Sequence, residues 1–447
     1  MTDGEPRGPA PERSRSGRTK ALRLAGSMAV IAAVVVVAGV ATAVHAGFLG
    51  GSRAGSGSAR PGSSAPTGGT VPNTWQMVGL PPGFSATGVS CVGAADCWVI
   101  GSGAGGDPSA SAIWQYSGRA WTSVAIAGVG SGALEGLTCV SADDCWAVGQ
   151  HITVPQTGDS DAVVKPFIEH DAGAGFSPVT GPTVPGDADG LSEVTCVGAD
   201  DCWAVGSYAA NSENGGDGII HPLIEHYDGD SWTVVTGTGP LIDHAGLGTV
   251  SCFASDECWA GGGTPNGGVI EEFDGSSWSV VSDPQLAPSP GFSASGVGTV
   301  VCTGPEDCWG VGSTGYPTVP DQLTQPLIAH YTGSGWTPVS SPYVSGPNGA
   351  LLTGIACVSA DDCWAVGSTQ PAAVALPALL GPTPTPSPDP ALFSQPLVEH
   401  YNGGAWEVVV TPQSGTENMG LGAITCIPST GDCYAAGLSA LWTLSGA

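Results

Sequence analysis

A pair of cysteines with five residues between them, followed by an aromatic, recurs along this chain. Nothing else in the sequence constrains the fold as tightly. The pair reads CVGAADCW at Cys91, CVSADDCW at Cys139, CVGADDCW at Cys196, CFASDECW at Cys252, CTGPEDCW at Cys302 and CVSADDCW at Cys357. A seventh, CIPSTGDCY at Cys426, has six residues between the cysteines. The copies are spaced by about 56 residues on average. Repeats of that length with Gly and Trp landmarks are the mark of propeller blades, because one unit cannot bury its apolar faces alone.

A second element follows each pair: AIWQYSGRAWTSV, FIEHDAGAGFSPV, LIEHYDGDSWTVV, VIEEFDGSSWSVV, LIAHYTGSGWTPV and LVEHYNGGAWEVV. Each copy divides into four short strands. Strand A ends at the first cysteine and strand B starts at the second. Strand C is the run ending in the aromatic, and strand D is the Trp segment. Between C and D lie Asp228-Gly229, Asp274-Gly275 and Asn402-Gly403, dipeptides that favour two-residue type I′ hairpins; the other copies keep Gly118, Gly173 and Gly333. With 71 glycines and 37 prolines in 447 residues, the chain holds no helical period for long outside one apolar run.

The two ends complement each other. The last copy has strands A, B and a C-like SALWTLSGA, and lacks D. The first copy is preceded by an orphan D-like segment, Asn73 to Val78. Together they predict an all-β, seven-bladed β-propeller over residues 74–447, closed by an N-terminal strand that completes the last blade and removes the exposed edge of an open array.

Charge places the rest. The chain has 39 acids and 10 bases, for a net charge of −29, which excludes a nucleic-acid binder because phosphates need basic partners. Eight of the ten bases precede residue 61: Arg7, Arg13, Arg15, Arg18, Lys20, Arg23, Arg53 and Arg60. Residues 1–23 therefore read as a basic cytoplasmic tail. Residues 24–45 form an apolar run long enough to span a hydrocarbon core, either as a transmembrane signal anchor or as a signal peptide cut near Ala43 or Ala46. Residues 46–73 are a Gly/Ser/Pro-rich stalk. The expected location is a cell membrane with the propeller outside, or secretion after cleavage. The residue usage resembles that of high-GC Gram-positive bacteria. Beyond residue 60 two bases, Arg119 and Lys165, face 36 acids.

On the outer side of a membrane the fourteen cysteines read as seven local disulfides: Cys91–Cys97, Cys139–Cys145, Cys196–Cys202, Cys252–Cys258, Cys302–Cys308, Cys357–Cys363 and Cys426–Cys433. Zinc ligation needs converging cysteines at closer spacing.

The tract Tyr227 to Trp232, and Phe273 to Trp278 with it, resembles part of the Asp-box of sialidase-like propellers. The resemblance implies Asp-box or kelch-like blades and a structural turn between C and D. It does not carry over sialidase activity, since that family grips a carboxylate with several arginines and this region has one.

Repetition separates scaffold from site. A catalytic group is needed once, so Glu169-His170, Glu225-His226, Ala329-His330, Glu271-Glu272 and Glu399-His400 read as scaffold, with inter-blade hydrogen bonding as their role. The acids before each second cysteine (Asp96, Asp143-Asp144, Asp200-Asp201, Asp256-Glu257, Glu306-Asp307, Asp361-Asp362, Asp432) read as turn formers, with a calcium site as the sharper alternative. Trp98, Trp146, Trp203, Trp259, Trp309 and Trp364, with Trp121, Trp232, Trp278, Trp336 and Trp406, read as inter-blade contacts.

The A–B and C–D turns are short and uniform. The B–C segments differ greatly (149–166, 206–222, 312–326 and 367–396), as do the D–A loops. Variable loops on a rigid scaffold carry function. The candidate site is therefore the B–C/D–A face, with the single-copy residues His151, Asp159, Asp161, Lys165, Glu213, Asp217, Asp243 and His244. The expected function is non-catalytic binding of an extracellular protein, glycan or cell-wall ligand, without a cofactor. The alternatives are a carboxylate-dependent glycoside hydrolase or lyase, and a calcium-dependent binding module.

Overall fold

The computed structural model describes residues 74–103, 110–126, 132–153, 163–183, 188–209, 219–235, 245–264, 267–281, 295–314, 324–343, 349–369, 393–412 and 418–445. The expected tail, membrane run and stalk lie outside these residues, as do Asp159, Asp161, Glu213, Asp217, Asp243 and His244.

The described residues form 28 strands. The first of them is β1 (Gln76–Gly79). Blade 1 is β2 (Ser85–Gly93), β3 (Asp96–Ser102), β4 (Ser111–Tyr116) and β5 (Trp121–Val124). Blade 2 is β6 (Ala133–Ser141), β7 (Asp144–Thr153), β8 (Val163–Asp171) and β9 (Phe176–Val179). Blade 3 is β10 (Ala188–Gly198), β11 (Asp201–Ala209), β12 (Ile220–Tyr227) and β13 (Trp232–Val234). Blade 4 is β14 (Gly246–Ala254), β15 (Glu257–Thr264), β16 (Gly267–Phe273) and β17 (Trp278–Val280). Blade 5 is β18 (Ser295–Gly304), β19 (Asp307–Thr314), β20 (Gln325–Tyr331) and β21 (Trp336–Val339). Blade 6 is β22 (Ala350–Ser359), β23 (Asp362–Thr369), β24 (Pro396–Tyr401) and β25 (Trp406–Val408). Blade 7 is β26 (Leu421–Ile427), β27 (Asp432–Gly437) and β28 (Ala440–Leu444).

Strand β1 supplies the missing strand D of blade 7. It pairs antiparallel with β28, Gln76 opposite Thr443 through Gly79 opposite Ala440. Each strand A lies against the strands A of its two neighbours, and blade 7 lies against blade 1, so seven blades close a ring. Hydroxyls tie the inner strands. Thr299 Oγ1 donates to the Thr353 carbonyl, and Thr353 Oγ1 to the Leu421 carbonyl, both at 2.7 Å.

Alternation along strand B sets the two faces of each blade. In blade 2, Cys145 and Ala147 point back toward blade 1, while Trp146 points on toward blade 3. The pattern small–aromatic–small is what a two-sided sheet between neighbours requires. The glycine ending each CWAVG run has a steric cause. Strand A bulges opposite it, and a Cβ at Gly149 or Gly206 would lie 2.0 Å from a strand A carbonyl oxygen.

In blades 2–6 the strand B tryptophan meets a tryptophan of the next blade edge to face, while Trp98 of blade 1 packs in one cluster with Phe176 of strand D of blade 2. The ring centroids of Trp146–Trp232, Trp203–Trp278, Trp259–Trp336 and Trp309–Trp406 are 5.3–5.6 Å apart. Trp364 of blade 6 meets Trp75, just before β1, at 5.7 Å. The expected inter-blade role of these side chains is what the structure shows. At the blade 7–blade 1 boundary Tyr434 takes the strand B position, and Trp121 Nε1 donates to the Gly79 carbonyl at 2.8 Å.

All seven expected disulfides form, each across directly opposed residues of the A–B hairpin with Cα atoms 4.0–4.1 Å apart. Among the described residues no cysteine is free. Each short loop closed this way stabilises by roughly 2 kcal/mol on chain-entropy reasoning.

Two expectations need correction. In blade 3 the C–D turn is not centred on Asp228-Gly229. Gly229 (φ +92°) and Asp230 occupy the centre, and Asp228 precedes them, its Oδ1 accepting from the amides of Asp230 (3.1 Å) and Ser231 (3.0 Å). The carboxylate supplies the acceptor that a tighter turn would take from backbone. The B–C segments of blades 2 and 3 are also not loops from the glycine onward. Pairing continues to Thr153 opposite Val163 and to Ala209 opposite Ile220, because the backbone groups past the glycine find partners in register.

Closure makes Trp75 as structural as an internal tryptophan. Trp75→Ala is expected to cost about 3–5 kcal/mol in denaturant unfolding, comparable with Trp406→Ala. A cost below about 1 kcal/mol would contradict a closed ring.

Candidate functional site

The repeated polar residues are accounted for within the scaffold. Each strand C histidine lies opposite the strand B tryptophan and stacks on it: His170 on Trp146, His226 on Trp203, His330 on Trp309 and His400 on Trp364, with centroids 3.8–4.1 Å apart. Two residues before each tryptophan, on the same face, stands an aspartate. His170 Nε2 is 2.8 Å from Asp144 Oδ1, His226 Nε2 2.9 Å from Asp201 Oδ1, His330 Nε2 2.6 Å from Asp307 Oδ1, and His400 Nε2 2.8 Å from Asp362 Oδ1. A carboxylate only accepts, so Nε2 carries the proton in each pair. These contacts lie within one blade, which corrects the inter-blade role expected for the histidines.

The preceding glutamates point to the opposite face, as the strand pleat requires. Glu169, Glu225 and Glu399 are 0% exposed and Glu271 is buried. Glu399 does bond between blades: Ser341 Oγ of the blade 5 segment donates to its Oε1 at 2.7 Å. Burial pushes the Glu399 carboxyl up to about 7, against the opposing pull of Ser341. Burial raises Glu271 as well.

Single-copy polar residues gather elsewhere, on the B–C/D–A face of blades 2 and 3. His151 in β7 stands directly opposite Lys165 in β8, and both are half-buried. The predicted pair is thus brought together on one extended hairpin. Val164 in β8 also pairs parallel with Ala188 in β10, joining the two blades into one sheet. In blade 3, Tyr208 and His221 lie opposite each other, with ring centroids 5.1 Å apart.

Beside these, two glutamates line the inner wall. Glu135 in β6 is the unpaired residue of the strand A bulge, where blades 1, 4, 5 and 6 carry Thr87, Gly248, Gly298 and Thr353. Glu193 in β10 is one position on, opposite Val205, where those blades carry Gly88, Thr249, Thr299 and Gly354. The close approach of the two strands is explicit: a Cβ at Gly136 would lie 2.7 Å from the Glu193 Cα. Burial raises Glu135, whose carboxyl also bonds the Gln150 side chain. Burial pushes Glu193 up to about 8, with a backbone hydrogen bond at Val194 opposing. Glu193 is thus shifted toward its protonated, hydrogen-bond-donating form. Strand A alignment contains the signal, but the eye follows the cysteines rather than the bulge.

The face thus offers a lysine, two histidines, a tyrosine and two carboxyls raised by burial. Such a set hydrogen-bonds peptide groups or hydroxyls. Among the described residues no group of three or more His, Cys, Asp or Glu is arranged to hold a metal ion, so the calcium alternative gains no ligand set from them.

The architecture defines a seven-bladed β-propeller with a loop-borne face. Among solved structures, a chain described as YCF48 bound to D1 peptide aligns with 85% of this chain and 97% of its own, with a TM-score of 0.50 and 12% identity. YCF48 from Cyanidioschyzon merolae aligns with 83% and 99%, with a TM-score of 0.47 and 13% identity. At such identity the first likeness establishes a shared fold and no shared ligand. No family model and no curated protein matches the chain.

The raised carboxyls set a pH dependence. Between the ordinary glutamate value of 4.5 and the raised values of about 7 and about 8, the folded protein keeps protons that the unfolded chain has released. Their stabilising effect is full below 4.5 and is lost as pH rises through that window. The thermal midpoint is expected to fall from pH 5 to pH 8, and Glu193→Gln with Glu399→Gln to flatten the slope. A midpoint that rises with pH would contradict these burials.

Proposed function

We propose that this chain is a non-catalytic binding propeller held outside a membrane by residues 24–45, and that it binds a protein segment through the B–C/D–A face of blades 2 and 3. One observation carries the reading. Residues that recur are engaged in the blade scaffold, whereas His151, Lys165, Tyr208 and His221 occur once and converge where two blades share a sheet. Seven disulfides support an oxidising compartment. Strand β1 starts at the C–D-turn end of blade 7, the end opposite the B–C/D–A face. The solved YCF48 chain is described as bound to D1 peptide, which is in keeping with a protein ligand for this propeller.

A second reading rests on Glu135 and Glu193. A glycoside hydrolase or lyase of this kind would use the strongly raised Glu193 as general acid and the less shifted Glu135 as its carboxylate partner.

The experiment is capture with the full-length chain in detergent micelles, carrying a photocrosslinker at position 151 or, as control, at position 429 in the exposed A–B turn of blade 7. Crosslinking of one protein from 151 and not from 429 supports the reading. His151→Ala with Lys165→Ala is then expected to weaken that binding by about tenfold without lowering the thermal midpoint. Binding on a glycan array without any protein adduct would overturn the protein ligand. Polysaccharide turnover abolished by Glu193→Gln would replace binding with catalysis.

A further inference from the structure

The opposite face, built from the A–B and C–D turns, carries a break in the repeat. Blades 2, 3, 5 and 6 place a histidine against the strand B acid. Blade 4 places Glu272 opposite Trp259 in the histidine's register, and strand B opens with Glu257. Two carboxylates stand where the scaffold elsewhere has an attractive pair. Asp256 and Asp274 flank them in the adjoining turns, both exposed. Burial, then Asp256 and Glu272, raise Glu257, while burial, then Asp274, raise Glu272. The field extends to the neighbouring blade, where Tyr331 is raised by burial and then by Glu272, Glu306 and Glu257. Among the described residues no lysine or arginine of blades 3–5 offsets it. Past residue 60 the bases are Arg119, in the C–D turn of blade 1, and Lys165, on the other face.

The same blades expose apolar side chains. The residue after the first cysteine is Val140 in blade 2, Val197 in blade 3 and Phe253 in blade 4, at 38%, 39% and 46% exposure. These occupy one register position on three adjacent innermost strands. In blade 7 the equivalent Ile427 is buried, and in blade 5 the position is Thr303, whose hydroxyl bonds Asp307. An arc of apolar side chains rimmed by acids marks an interaction surface rather than solvated turn. Its sign selects the occupant. A second copy of this acidic chain, an anionic lipid surface and a nucleic acid are all repelled.

We propose that the turn face of blades 2–4 docks a cationic segment of another protein, Phe253 and Val197 receiving an apolar side chain and the Asp256–Glu257–Glu272–Asp274 group receiving its Lys or Arg. The segment pairs charge with carboxylates that repel one another in its absence.

The test is fluorescence anisotropy with the full-length chain and a short labelled Gly/Ser peptide carrying arginines on both sides of one tryptophan. Saturable binding is expected, weakened at least about tenfold when the peptide's tryptophan is serine. Phe253→Ser should weaken it similarly with little effect on stability, since the side chain is exposed. Glu272→His restores the histidine–carboxylate pair of the other blades, so it is expected to hold or raise the thermal midpoint while weakening binding at least about tenfold. His151→Ala should leave this binding unchanged, which separates the surface from the loop face. Equal binding by wild type, Phe253→Ser and Glu272→His, or equal binding of the serine peptide, would overturn the proposal.

Discussion

The edge-to-face contact between one blade's strand B tryptophan and the next blade's strand D tryptophan is what the rest of the structure depends on. A four-stranded sheet this short has two apolar faces and buries neither alone. Trp146, Trp203, Trp259, Trp309 and Trp364 each reach across a boundary, so every blade is both knob and socket. Such aromatic pairs add about 0.5–1.5 kcal/mol beyond the area they bury. The last of these five boundaries depends on Trp75, which lies some 370 residues before its partner strand β28 in sequence. Ring closure therefore converts a chain of neighbour contacts into one cooperative object.

The polar repeat follows from the tryptophan. A large ring on strand B leaves its flat face toward strand C, where a histidine can stack and still reach the aspartate two residues upstream of the tryptophan. The opposite face carries a small residue on strand B, and there the glutamate fills the space. Glu399 shows its consequence: a buried carboxyl bonded by Ser341 and shifted toward its neutral form. Residues that look catalytic when read singly thus belong to blade-to-blade fit. Blade 4, where Glu272 breaks the pattern, and blades 2 and 3, where His151 and Lys165 meet, are where the scaffold rules stop explaining what is present.

Much of the fold was legible because cysteine spacing and tryptophan recurrence are independent signals with one period. The orphan Trp75 segment could be matched to a blade lacking its last strand. The disulfides were legible because each pair is local. What failed was finer. The C–D turn was offset by one residue because an aspartate can cap a turn from outside it as well as sit in its centre. The length of β7 and β8 was missed because continued backbone pairing leaves no mark in residue type. His151 and Lys165 were named for being unrepeated, and the register shows that they face one another. Glu135 and Glu193 were missed because strand A has no landmark at its bulge, where glycine and threonine are common. Asp159, Asp161, Glu213, Asp217, Asp243 and His244 lie outside the described residues, so their place in the site is not part of this geometry.

The central claim is that seven blades form a single closed ring through these tryptophans, with β1 as a full member. Native-state hydrogen exchange, read by mass spectrometry on the disulfide-intact chain, measures this most directly. The account predicts that the slowest amides of all seven strands B, and those between β1 and β28, open together with one common free energy. Exchange that steps from blade to blade, or a β1–β28 pair that opens well before the others, would contradict it.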